Sequence, residues 1–125
     1  MRYILLALAP GLAFAATPLA AKKPVPPAVV TGPPVNCILV QNIRNTRVID
    51  DRTIDFQMRG RQVYRNNLPA SCPQLGFQQV FSYELSIPQL CSVDIITVLI
   101  QGGGMMQGAR CGLGKFTPIE PPARK

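Results

Sequence analysis

The sequence predicts a mostly β domain: a small antiparallel sheet or partly open barrel, a meander of about five or six strands, held by two disulfides. Three observations carry this expectation. Residues 53–58, TIDFQM, and 80–87, VFSYELSI, alternate apolar and polar side chains with the period of two that a half-buried strand requires. Residues 93–100, VDIITVLI, are nearly continuous and β-branched, as in a strand buried on both faces. Cys37, Cys72, Cys91 and Cys111 make an even count in a short chain, which reads as paired bridges in an oxidising compartment.

The chain opens with MRYILLALAPGLAFAATPLAAKK, in which Arg2 precedes an apolar run and then small residues. That is the order of a secretory signal. Residues 1–21 are therefore expected to be a signal peptide, cleaved near 15/16 or 21/22. Pro10, Gly11 and Pro18 interrupt the run, which argues against a span of about 20 apolar residues. No transmembrane segment is expected after cleavage, and the protein is expected to be periplasmic or secreted. Residues 22–35, KKPVPPAVVTGPPV, read as an extended, solvated proline-rich linker. A β domain is expected over 36–118 and a short tail over 119–125.

Within the domain, the first strand pattern runs from 38 to 49. Asp50-Asp51-Arg52 follows it, where aspartates favour a turn by bonding nearby backbone amides. In 53–58, Ile54, Phe56 and Met58 share one face, which places Asp55 on the solvent face beside arginines. Arg59-Gly60-Arg61 supplies a hairpin turn and 62–68 the returning strand. In 80–87, Phe81, Tyr83, Leu85 and Ile87 share a face. QGGGMMQGAR reads as a flexible loop carrying Met105 and Met106 to a core edge or contact surface, ahead of a last short strand in CGLGKFTPI.

If these strands form a meander, Cys37 and Cys91 lie at one end and Cys72 and Cys111 at the other. This favours Cys37–Cys91 with Cys72–Cys111 over Cys37–Cys111 with Cys72–Cys91, three connectivities being formally open. The cysteine spacings of 35, 19 and 20 lack the short pairs of a four-thiolate zinc site. No metal and no cofactor are expected.

The chemistry the chain can perform is limited by what it lacks. Histidine is absent, which removes the commonest general base near neutral pH. No G-x-S-x-G elbow and no P-loop occurs. Asp50, Asp51, Asp55 and Glu84 remain as acids, with Asp94 the most interesting because it begins the most apolar strand. Against a net charge of +7, one less once Arg2 leaves, an anionic partner is expected. Arg44, Arg47, Arg52, Arg59, Arg61 and Arg65, with Tyr64 among them, are the candidate anion-binding residues. The expected partner is an envelope polymer, a lipid head group or an acidic protein. Low aromatic content and the absence of Trp argue against a nucleic-acid stacking platform.

The D-D-R-T-I hairpin, L-P-x-x-C-P-x-L over 68–75 and L-C-x-x-D-x-I-x-V over 90–98 resemble a family of small exported bacterial proteins classed as a domain of unknown function. The resemblance spans about residues 37 to 118. It implies export and the extent of the domain, and it assigns no catalytic or binding residue. The expected function is a non-enzymatic binding or structural module of the cell envelope, contacting an anionic partner through the arginine-rich hairpin. The alternative is a small hydrolase or transferase using Asp94 with an arginine.

Overall fold

The computed structural model describes Gly11 and residues 27–121. Apart from Gly11, the expected signal segment and both cleavage positions lie outside the described residues, as do residues 122–125. Nine strands form among the described residues: β1 (Cys37–Leu39), β2 (Ile43–Asp50), β3 (Thr53–Met58), β4 (Val63–Asn67), β5 (Phe81–Tyr83), β6 (Gln89–Cys91), β7 (Ile95–Gln101), β8 (Met105–Gly112) and β9 (Phe116–Ile119), with one short helix, α1 (Leu75–Gln78). They build three antiparallel sheets, ordered β2-β3-β4-β9, β5-β7-β8 and β1-β6, and no closed barrel.

The tightest local signals give the four-stranded sheet. Asp50 Oδ1 accepts the Arg52 amide at 2.8 Å, closing the turn from β2 into β3 as the sequence predicts for aspartate. At the other end of β3, the Met58 amide donates to the Gln62 carbonyl at 2.7 Å around Gly60, whose φ of 76° lies in the left-handed region open to glycine. Arg61 follows it with φ 67°, a conformation that an L side chain adopts at a cost.

Alternation then sorts the faces. Val48, Ile54 and Phe116 share one cross-strand row, and Phe56 lies in the next, facing inward. Phe56 is fully buried and meets Phe116 and Phe81 edge to face at 5.4 and 6.3 Å between ring centres. Because Phe81 belongs to β5, this aromatic cluster joins the two larger sheets. Ile38 and Leu90, paired across β1-β6, add the third sheet to the same core. One core in a domain this small is marginal by itself, so covalent links matter.

The disulfides pair Cys37 with Cys91 and Cys72 with Cys111, as expected, but the strand path is not a meander. A helical turn at Val40–Asn42 divides the expected strand 38–49 into β1 and β2. β1 then pairs with β6, bringing Cys37 directly opposite Cys91. β4 does not continue into β5; the chain between them folds into a loop carrying α1, and β9 returns from far along the sequence to pair with β4. Cys72, in that loop, is fully buried and bonded to β8 of the other large sheet.

Several expectations change on this frame. β5 keeps only Phe81–Tyr83 of the expected strand 80–87, and Ile87 is exposed rather than aligned with Phe81. β7 buries Ile96 and Val98 but leaves Ile95 47% exposed, since its outer face meets solvent rather than a further layer. Met105 and Met106 lie in β8, and the connection expected to be a flexible loop shrinks to residues 102–104. Residues 27–35 are extended but not solvated throughout. Val29, Thr31 and Val35 exchange backbone hydrogen bonds of 2.8–3.0 Å with Phe116, Pro118 and Glu120, so this stretch lines the outer edge of β9.

Two long-range polar contacts lock the arrangement. Asn66, fully buried on β4, donates from Nδ2 to the Gly114 carbonyl at 2.7 Å and accepts the Gly114 amide at 2.8 Å. Residue 114 must be glycine, because a Cβ there would run into the Asn67 carbonyl. Replacing Cys72 and Cys111 together by alanine is expected to lower the unfolding free energy by about 3–4 kcal/mol. Urea denaturation followed by far-UV circular dichroism checks this.

Candidate functional site

The acids singled out in the sequence are held by structure. Asp51 accepts the Gly76 amide through Oδ1 at 2.8 Å, and its carbonyl takes the Cys72 amide at 2.8 Å. Asp50 closes the β2–β3 turn. Asp94 accepts the Cys91 amide through Oδ2 at 2.6 Å, while its own amide donates back to the Cys91 carbonyl at 3.0 Å, so it caps the turn between β6 and β7. Carboxylates accepting backbone amides define bends in the chain.

Asp55 corrects the expectation drawn from alternation. It does lie opposite the core face of β3, yet only 7% of it is exposed. Arg65, its direct cross-strand neighbour on β4, holds it with a two-pronged pair, Nε to Oδ1 at 2.8 Å and Nη2 to Oδ2 at 3.0 Å. The pair stands in a narrow groove whose other walls include Pro27, Ala28, Ile119 and Glu120. The Asp55 hydrogen bond, then the charges of Asp55 and Asp50, raise the Arg65 guanidinium above its ordinary value against the lowering effect of burial. A cation raised in the fold stabilises at every pH below its unfolded value, and the gain is lost only as pH climbs through the raised one. Arg65 therefore supports the fold throughout the neutral and alkaline range.

The six candidate arginines separate into distinct roles. Arg52 donates to the Leu68 and Pro69 carbonyls at 3.2–3.4 Å and braces the loop that carries Cys72. Arg65 is committed to Asp55. Arg59 lies beside Tyr64 and Asn42 in a groove against β1. Arg44 and Arg61, both exposed, converge on a groove of about 370 Å³ at the hairpin end of the four-stranded sheet. Its other walls are Asn45, Gln57, Met58, Gln62, Val63 and Pro121, with no carboxylate among them. Arg47 stands in an adjoining groove of about 110 Å³ that shares Gln57 and Val63 with the first.

The register explains this gathering. Arg47, Asp55, Arg65 and Thr117 form one cross-strand row, and Asn45, Gln57, Val63 and Ile119 form the next, both on the outer face. A bulge between Ile43 and Asn45 sets Arg44 apart from this alternation. Arg61, with its left-handed backbone, puts a long cation on the turn that lines the groove. Two arginines and three carboxamide residues line this groove beside Met58, Val63 and Pro121, residue types that can take a carboxylate, phosphate or sulfate group. Asn45, Gln57 and Gln62 were not singled out in the sequence. Gln57 carries a signal, as a polar-face residue of the alternating strand, whereas Asn45 becomes its neighbour only through the β2–β3 register.

A third groove, about 430 Å³, lies on the outer face of β5-β7-β8. Ser82, Thr97 and Arg110 form its cross-strand row, and Glu84, Asp94 and Gln107 stand around it. Here, and not at the arginine-rich hairpin, Asp94 shares a groove with an arginine.

No family model matches the chain, and neither a curated protein nor a solved structure matches it. Functional reading therefore rests on geometry. Asp55→Asn is expected to cost about 1–2 kcal/mol of stability because it removes the charge that Arg65 clasps with two hydrogen bonds, whereas the double change Asp55→Leu with Arg65→Met stays closer to the parent. Thermal and urea unfolding of the three proteins measures the difference.

Proposed function

We propose that this protein is a non-enzymatic binding module of the cell envelope, periplasmic or secreted, whose arginine-lined groove takes an anionic partner. The observation that carries the reading is the convergence of Arg44 and Arg61, with three carboxamides and no acid among the described residues, on one groove. Two disulfides and no free cysteine among the described residues fit an oxidising compartment. The signal-like first residues and the resemblance to small exported proteins support the same placement.

Arg61 gives the reading a specific signature. Its left-handed backbone disfavours a side chain, so Arg61→Gly is expected to raise stability by up to about 1 kcal/mol. The same change should weaken binding of a sulfated or carboxylated probe, and Arg44→Ala should weaken binding without the stability gain. Titration calorimetry alongside urea unfolding reads both effects. Affinity should also fall steeply with added salt; binding that ignores both arginines and salt contradicts the reading.

A second reading rests on the third groove, where Asp94, Glu84 and Arg110 stand together. It is the small hydrolase or transferase. Asp94→Asn separates it cleanly, since Asn keeps an oxygen for the Cys91 amide while losing the charge. Under the binding reading this variant retains fold and anion affinity. Loss of a measurable turnover, assayed against acyl, phosphoryl and glycosyl esters, would favour the enzyme.

A further inference from the structure

We propose that the partner is an acidic polysaccharide chain, lying from the Arg44–Arg61 groove into the adjoining groove beside Arg47. This deepens the binding reading above and rests on it. The first reason is spacing. Arg44 and Arg47 lie three residues apart on β2, on the order of 10 Å along a strand, and they line different grooves. A single carboxylate or sulfate group sitting between Arg44 and Arg61 does not also reach Arg47. A chain with repeated charges can, since the two grooves adjoin at Gln57 and Val63, which line both. In the second groove Asp55 is already neutralised by Arg65, and Glu120 stands on the β9 side. The anionic group therefore falls on the β2 side, at Arg47.

The second reason is the chemistry between the charges. Carboxamides both donate and accept, and sugar hydroxyls do the same, so Asn45, Gln57 and Gln62 match an intervening sugar on both sides of their amides. Inorganic polyphosphate offers acceptors alone and leaves the amide oxygens unmatched. A nucleic-acid strand calls for aromatic stacking surfaces, and neither groove is lined by an aromatic side chain.

The test is calorimetric titration of the disulfide-intact protein with galacturonate, hexagalacturonate, a hexathymidylate strand and a six-unit polyphosphate, each at two salt concentrations. Hexagalacturonate is expected to bind at least about tenfold tighter than the monosaccharide, through linked contacts, and with a steeper salt dependence. Arg47→Gln, at an exposed position, is expected to reduce that ratio to within about threefold. The salt comparison on the parent protein stands even if the variant folds poorly. Equal affinity for the two saccharides with equal salt dependence overturns the chain proposal while leaving a single-anion groove. Tighter binding of the thymidylate or the polyphosphate overturns the saccharide assignment. No binding of any probe overturns this proposal and the groove reading together.

Discussion

The structure depends on where its carboxylates are committed. Asp50 and Asp51 hold backbone amides at the β2–β3 turn and the α1 loop, Asp94 holds an amide at the β6–β7 turn, and Asp55 is clasped by Arg65. These contacts decide the connections that a core of this size cannot decide alone. The Asp51 contacts to Gly76 and Cys72, with the Arg52 brace on Leu68 and Pro69, set the loop from which Cys72 reaches β8. The bridge between the two large sheets thus relies on a turn made by three consecutive charged residues.

The same commitment shapes the surface. With the aspartates turned towards amides or Arg65, most of the arginines around the first hairpin pair with no carboxylate among the described residues. The salt bridge found among the described residues is that of Asp55 with Arg65. Arg44, Arg47 and Arg61 are left exposed along two adjoining grooves, which concentrates positive charge there. Fold and electrostatics follow from one distribution of acids.

Local chemistry was legible in the sequence and long-range pairing was not. The Asp50 turn, the Gly60 hairpin and the alternation of Ile54, Phe56 and Met58 are each decided within a few residues, and each stands as read. The cysteine pairing also stands, although the meander that suggested it does not: β1 leaves to join β6, and β9 crosses back to β4. Asn66 with Gly114 shows why, since that contact spans 48 residues and has no local signature. Asp55 failed for a related reason. Alternation gives its face correctly, but only the β3–β4 register and the returning segments 27–28 and 119–120 reveal the narrow groove in which it stands.

The site divides the same way. That arginines crowd residues 44–65 is plain from the sequence; which of them share a groove depends on register, a bulge at Arg44 and the backbone at Arg61. Nuclear magnetic resonance mapping of backbone amide shifts during titration with hexagalacturonate tests the division of labour most directly. Shifts confined to residues 44–49, 55–65 and the flanking residues 27–28 and 119–121 are the predicted result. Shifts centred on residues 82–84, 94 and 107–110 would contradict it, since binding would then fall on the groove that holds Asp94 rather than on the arginine face.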